Sequence, residues 1–167
     1  MKLKGLLEDY SEYNVVDKKA LLKLLEKPKP KTVYNLENED EFWFLHDDGF
    51  ISLEKWNNSF YHRRLRDMGN ISLTEEETEK KRAYRECEVL LKRYANGYEW
   101  LKGNDNWYLK ARYNLRLLKW EISIYWEMWN KSDKIYFLSH KEAEVAINKI
   151  GEKRLLIEYF KIPEDEL

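Results

Sequence analysis

The sequence predicts an α+β protein, built of antiparallel β-hairpins packed by two or three helices. Residues 107–111 and 118–124 alternate apolar and polar side chains as strands do. Two hydroxyl residues, Thr74 and Ser139, each precede an acid by three positions, which is the signature of a helix start. The 167 residues are enough for one core without disulfides, and the only cysteine, Cys87, excludes an internal disulfide and a multi-cysteine metal site.

Residues 1–31 predict an N-terminal leucine-rich helix followed by a Pro/Lys linker. Asp17 can cap this helix, and Pro28 and Pro30 can end it. The helix could dock on the body of the protein or bind a partner. We assign residues 32–167 to a single α+β domain.

The segment "EFWFLHDDGFISLEKW" predicts a hairpin that turns at Asp47-Asp48-Gly49. His46 and the two aspartates could instead hold a divalent metal. However, neighbouring strand residues face opposite sides, and a metal site needs three or four ligands. We therefore expect a turn here, with no metal and no cofactor.

The next segment, "SFYHRRLRDMGNISL", predicts a second strand pair that turns at Gly69-Asn70. A long helix should then start at Thr74, whose hydroxyl precedes Glu77 by three positions, and end near Gly97. Its buried stripe should consist of Ala83, Cys87, Leu90, Leu91 and Tyr94.

The second β region runs from Asn106 to Trp129 and should turn near Asn114. "KIYFL" predicts a further strand, and Ser139 with Glu142 predicts another capped helix. A last helix should bury four residues before Pro163, namely Leu155, Leu156, Tyr159 and Phe160.

The two β regions end in segments that share one sequence pattern. "GNISLTEEETEK" and "KIYFLSHKEAEV" both predict strand, hydroxyl cap, acid and helix, about 65 residues apart. One interpretation is a duplication of two half-repeats, 33–97 and 104–162. The other is that strand-to-helix joints of any α+β protein carry such caps.

The candidate partner-binding residues mix arginine with aromatic side chains in "WNNSFYHRRLR". This mixture suits a protein interface, phosphate contacts with base stacking, or a solvated strand paired with nearby acids. Two tryptophans after the second hairpin exceed what a core needs and could face a partner. The predicted contact residues are Trp56, Tyr61, His62, Arg63, Arg64, Arg66, Trp126 and Trp129.

The second hairpin is locally basic and supplies an alternative nucleic-acid-binding face. Its cations are Lys110, Arg112, Arg116 and Lys119. The whole chain is almost neutral, with a formal net charge of -1, so any electrostatic footprint must be local. The simpler interpretation is an amphipathic sheet with a polar outer surface.

Four segments resemble small, mostly uncharacterised accessory proteins of phages and prophages from low-GC Gram-positive bacteria. They are "VYNLENEDEFWFLHDDGFI", "RLRDMGNISLTEEETEKKRAYRECEVLLKRYA", "NWYLKARYN" and "KIYFLSHKEAEVAINKIGEKRLLIEYF". The chain departs from the pattern at Ser72, Thr78 and Leu138. The resemblance implies a mobile-element origin and a small α+β fold, and carries no particular activity.

Catalytic signatures are absent from the sequence, which has no glycine-rich phosphate loop, no nucleophile elbow and no H-E-x-x-H. We therefore expect a non-enzymatic phage-derived protein that blocks or redirects a host protein. A CRISPR–Cas effector or another defence nuclease is one candidate partner, and nucleic acid is the alternative. Without a membrane span or a secretion signal in the sequence, we expect it in the bacterial cytoplasm.

Overall fold

A computed structural model describes residues 30–167, so the predicted leucine-rich helix lies outside the described residues. Within this part of the chain, two antiparallel three-stranded sheets combine with helices, which confirms the α+β class. No helix of residues 30–167 is long and apolar enough to cross a bilayer.

The first sheet is built on the predicted hairpin of β1 (Glu41–Leu45) and β2 (Ile51–Lys55). The turn between them is confirmed. Gly49 adopts a φ of 88° and donates its N–H to the His46 carbonyl at 3.1 Å. The Asp48 side chain accepts the N–H of Phe50 at 3.0 Å, as aspartates in turns commonly do.

The predicted second strand pair is wrong over most of its length. Residues Phe60–Asp67 form a helix, α1, and only β3 (Ile71–Ser72) is strand, pairing with β1. Ser59 caps α1 by accepting the N–H of His62 at 3.2 Å. His62 and Leu65, three positions apart, turn together toward the core.

The long predicted helix, α2 (Glu75–Tyr94), is confirmed together with its capping box. The hydroxyl of Thr74 accepts the N–H of Glu77 at 3.2 Å, and the Glu77 carboxylate accepts the N–H of Leu73 at 3.2 Å. The Lys81 ammonium donates to the Ile71 carbonyl at 2.6 Å and so fastens the helix to β3. The C-terminal half of α2 supplies Cys87 to the core of the second sheet.

The second sheet contains β4 (Asn106–Asn114), β5 (Lys119–Glu127) and β6 (Tyr136–Phe137), with β4 in the centre. The predicted turn after Asn114 is therefore confirmed. Two further helical segments follow, α3 (His140–Ile150) and α4 (Glu152–Arg154), and α4 continues as a π-helical turn over Leu155–Tyr159.

The two sheets have the same strand order, because the third strand of each pairs with the first strand of its hairpin. The joints that follow also match. In the second, Ser139 accepts the N–H of Glu142 at 3.2 Å, and Leu138 donates to the Glu142 carboxylate at 3.1 Å. This shared topology agrees with the half-repeats 33–97 and 104–162, whose common ancestry stays a hypothesis.

Each sheet packs its own hydrophobic core, and α2 contributes Cys87 and Leu91 to the second. The first consists of Phe42, Phe44, Trp56, Leu65 and Ile71. The second consists of Cys87, Leu91, Ala95, Phe137, Ala143, Ala146, Ile150 and Leu155. Burying one large apolar side chain stabilises a fold by about 2 kcal/mol, so these clusters hold the elements that present the surfaces described next.

Candidate protein-binding surface

The outer side of α1 exposes aromatic and cationic side chains together. We call it the α1 face and define it as Phe60, Tyr61, Arg63, Arg64 and Met68. These five side chains are exposed, whereas His62 and Leu65 of the same helix are buried, and Met68 is the residue that ends the helix. Phe60 is 74% exposed, so the face offers uncovered apolar area beside positive charge.

The two arginines of the α1 face have no acidic partner among residues 30–167. Arg63 donates to the backbone carbonyl of Asn58 at 2.8 Å, which orients its guanidinium but leaves its charge uncompensated. Arg66, in contrast, pairs with Asp67 at 3.1 Å. An arginine without a carboxylate partner keeps most of its five N–H donors for a ligand or partner.

An open groove of about 490 Å³ separates α1 from the turn of the first hairpin. Its lining combines apolar side chains with the guanidinium of Arg64 on α1 and the carboxylates of Asp47 and Asp48 at the hairpin turn. The lining residues are Phe44, His46, Asp47, Asp48, Tyr61, Arg64, Leu65, Met68 and Asn70. A partner side chain entering here would meet both apolar surface and hydrogen-bonding groups.

Trp56 and His62, predicted to contact a partner, are buried instead. Trp56 is only 2% exposed, and its ring packs edge to face against Phe42 with centroids 5.8 Å apart. The Nδ1 of His62 accepts the N–H of Asn57 at 3.3 Å. The structure therefore corrects their role, because the Trp56 ring packs against the buried His62 side of α1, with ring centroids 5.6 Å apart.

The exposed tryptophans Trp126 and Trp129 lie at the second sheet, Trp126 near the end of β5 and Trp129 just beyond it. Trp126 pairs in register with Trp107 on β4. The other predicted contact residues therefore lie in two separate places, on α1 and at the end of the second hairpin.

The four cations of the nucleic-acid alternative are spread along the second hairpin. Arg112 pairs with Glu121 at 2.5 Å, and this bond holds the pKa of Arg112 above its ordinary value. The ammonium of Lys110 lies 5.5 Å from the centroid of the Tyr125 ring. Arg116 and Lys119 are exposed where the hairpin turns.

Sequence reasoning missed three leucines at the end of the second hairpin. Leu115, Leu117 and Leu118 are 80%, 60% and 72% exposed. The available signal was their position directly after the predicted turn residue Asn114, where polar residues are usual.

Groups that could support chemistry are engaged in structural contacts. The Nε2 of His46 lies 2.8 Å from the Ser52 hydroxyl. Cys87 is buried, and this burial, together with a contact to the Glu158 carboxylate at 3.2 Å, raises the pKa of its thiol to about 12. Within residues 30–167 no three His, Cys, Asp or Glu side chains are placed to hold a metal ion.

Comparison with known proteins finds no relative of this chain. No family model, no curated protein and no solved structure matches the chain.

Proposed function

We propose that this protein is a non-enzymatic binding protein that blocks or redirects a host protein through the α1 face. The observation that carries the proposal is Arg64, exposed and without an acidic partner in residues 30–167, beside the uncovered rings of Phe60 and Tyr61. Arginine and aromatic residues dominate the binding energy of protein interfaces. Because these side chains are exposed, they contribute little to the hydrophobic core.

The partner's surface should be acidic with an apolar centre. Two uncompensated guanidinium groups, those of Arg63 and Arg64, favour carboxylates opposite them, and their planar geometry allows paired hydrogen bonds. The exposed ring of Phe60 needs an apolar contact. Complementary charge of this kind speeds association and fixes the orientation of the two proteins.

The α1 face is already ordered before it binds. Ser59 fixes the start of the helix, and the Tyr61 ring rests edge to face on Phe44. A surface ordered in advance loses less conformational entropy on binding, which raises the affinity obtained from the same contacts.

The resemblance of four segments to phage and prophage accessory proteins supports a role inside an infected Gram-positive bacterium. A CRISPR–Cas effector or another defence nuclease remains one candidate partner.

The proposal is tested by affinity capture from a lysate of a low-GC Gram-positive bacterium. The bait is the full chain, compared with Arg64→Glu and with Lys141→Glu, which makes the same type of charge reversal at an exposed position of α3. We expect a protein enriched by the wild type and by Lys141→Glu, and lost with Arg64→Glu. Equal enrichment by all three baits would overturn the assignment of α1.

Two controls separate the alternatives. Thermal unfolding of Arg64→Glu should match that of the wild type, since Arg64 is exposed and makes no ion pair among the described residues. A mobility-shift assay with DNA and RNA at low salt tests the nucleic-acid alternative. Binding that falls steeply as salt rises, and that depends on Arg116 and Lys119, would favour it over the protein partner.

A further inference from the structure

The turn of the second hairpin exposes a compact apolar cluster. We call Leu115–Leu118 the leucine tip. Its three leucines are 80%, 60% and 72% exposed, and Arg116 lies between them. Single exposed leucines are common on protein surfaces, but three within four residues at the end of a projecting hairpin form a patch.

The leucine tip is held in one conformation by the residues at its base. The Asn114 side-chain oxygen accepts the N–H groups of Arg116 and Leu117 at 3.0 and 3.2 Å. The Asn114 amide donates to the Glu121 carboxylate at 2.9 Å, and Arg112 donates to the same carboxylate at 2.5 Å. The patch is therefore presented in a fixed geometry.

Turn geometry does not explain the choice of leucine in this position. Leu118 adopts a φ of 52°, a left-handed conformation that costs an ordinary residue about 1 kcal/mol and that glycine or asparagine adopts readily. Leu118 is also exposed, so core packing does not compensate this cost. Backbone strain of this kind at a surface site points to a contact made by the side chain.

The charged residues near the leucine tip indicate which kind of partner contacts it. Neither Arg116 nor Lys119 forms an ion pair within the part of the chain that the structure describes, which favours an acidic partner. The indole N–H of Trp120 donates to the Glu166 carboxylate at 3.3 Å, so the acidic segment Glu164–Glu166 lies beside the hairpin. Glu164 pairs with Lys153 at 2.6 Å, but no ion pair neutralises Asp165 or Glu166 within the described residues. A broad anionic lipid surface would meet those carboxylates as well as the tip, whereas a protein pocket that receives only the tip would not.

We propose that the leucine tip is a second docking element, which inserts into an apolar pocket of a partner protein with carboxylates at the pocket rim. This surface differs from the α1 face, and the proposal holds whether or not α1 binds a partner. The apolar pocket would receive Leu115, Leu117 and Leu118, and the rim would contact Arg116 and Lys119.

Site-specific photocrosslinking tests the proposal in the full chain. The photoreactive amino acid p-benzoylphenylalanine replaces Leu117 in one protein and Val89, an exposed apolar residue of α2, in a control. Both are irradiated in a lysate of a low-GC Gram-positive bacterium, and adducts are mapped by mass spectrometry. We expect one dominant adduct from position 117 alone, on an apolar segment flanked by aspartate or glutamate.

The purified crosslinked protein then gives the decisive comparison by titration calorimetry. Leu117→Ser and Arg116→Glu should each weaken its binding by about tenfold or more, whereas Val89→Ser should leave it unchanged. The effect of Arg64→Glu on binding to the same protein does not decide this proposal, because the α1 face is tested separately by the capture experiment. No adduct from position 117, equal adducts from both positions, an adduct on a second copy of this chain, or unchanged affinity of the tip variants would overturn the proposal.

A membrane contact is tested separately with vesicles of phosphatidylcholine and phosphatidylserine. We expect the wild type to stay in the supernatant on sedimentation. Sedimentation with the vesicles that is abolished by Leu117→Ser would show a lipid contact and overturn the protein-pocket proposal.

Discussion

The ring of Tyr61 on α1 meets the ring of Phe44 on β1 edge to face, with centroids 6.3 Å apart. Phe44 belongs to the first core, whereas Tyr61 is exposed for about half of its surface. This contact joins the candidate binding surface directly to the sheet. The α1 face therefore depends on the packing of the first core, and variants must separate loss of binding from loss of folding.

The two classes of tryptophan should respond differently to truncation. Trp56→Ala should lower the free energy of unfolding by about 4 kcal/mol, because Trp56 fills the first core against Phe42. Trp129→Ala should change it by less than about 0.5 kcal/mol, because Trp129 is exposed. Urea unfolding followed by circular dichroism measures both, and equal effects would contradict the placement of Trp56 in the core.

Asn106, the first residue of β4, is buried and makes several hydrogen bonds through its side chain. Its side-chain oxygen accepts the N–H of Leu101 at 2.8 Å and the hydroxyl of Tyr98 at 3.0 Å, and its amide donates to the Glu127 carbonyl at 3.0 Å. Asn106→Ala should lower the free energy of unfolding by about 3 kcal/mol, because buried partners lose their hydrogen bonds. The exposed Asn104→Ala serves as control in the same urea titration, and similar values for both would be evidence against this role.

Stability should fall in alkaline solution because of Cys87 and Tyr159. Burial raises the pKa of both groups to about 12, from ordinary values of 9.0 and 10.0. The unfolded chain then ionises first, so the stabilising contribution is complete below pH 9 and is lost as the pH rises toward 12. Unfolding free energies measured from pH 8 to 11 should decline.

The matched variants for this pH effect are Cys87→Ala and Tyr159→Phe, which remove the ionising groups one at a time. Each should flatten the decline, whatever its effect on stability at pH 8. A decline of the same steepness in both variants would assign the pH dependence to other groups.

The strained leucine of the second hairpin offers a stabilising substitution. Leu118→Asn should raise the free energy of unfolding by about 1 kcal/mol, because asparagine tolerates the φ of 52° better than leucine. Leu117→Asn, an exposed tip position without a positive φ, should give no such gain. Thermal unfolding compares the two, and a Tm that does not rise for Leu118→Asn would argue against backbone strain.

The hairpins and capped helices could be predicted because each depends on a few neighbouring residues. Asp48-Gly49 determines the first turn, and Thr74 with Glu77 determines the start of α2. The helix α1 could not be predicted, because Phe60 and Tyr61 favour strands and its first turn contains no acid. The packing of His62 and Leu65 on the first core overrides that local preference.

The residue types of the candidate site could be predicted from the sequence, but the burial or exposure of each side chain could not. Arg64 and Tyr61 could be identified because arginine beside aromatic residues is an interface signature. Trp56 is buried because its ring packs against Phe42, and Leu115 is exposed because no other part of residues 30–167 covers it. Both outcomes depend on residues distant in the sequence, so local patterns did not predict them.

The central claim is that the α1 face binds a protein, and titration calorimetry with the captured partner tests it most directly. We expect Arg64→Glu to bind at least about tenfold more weakly than the wild type, a loss of about 1.4 kcal/mol or more. Lys141→Glu should bind as the wild type does, and all three proteins should unfold at the same temperature. Equal affinity of Arg64→Glu and the wild type would contradict the claim.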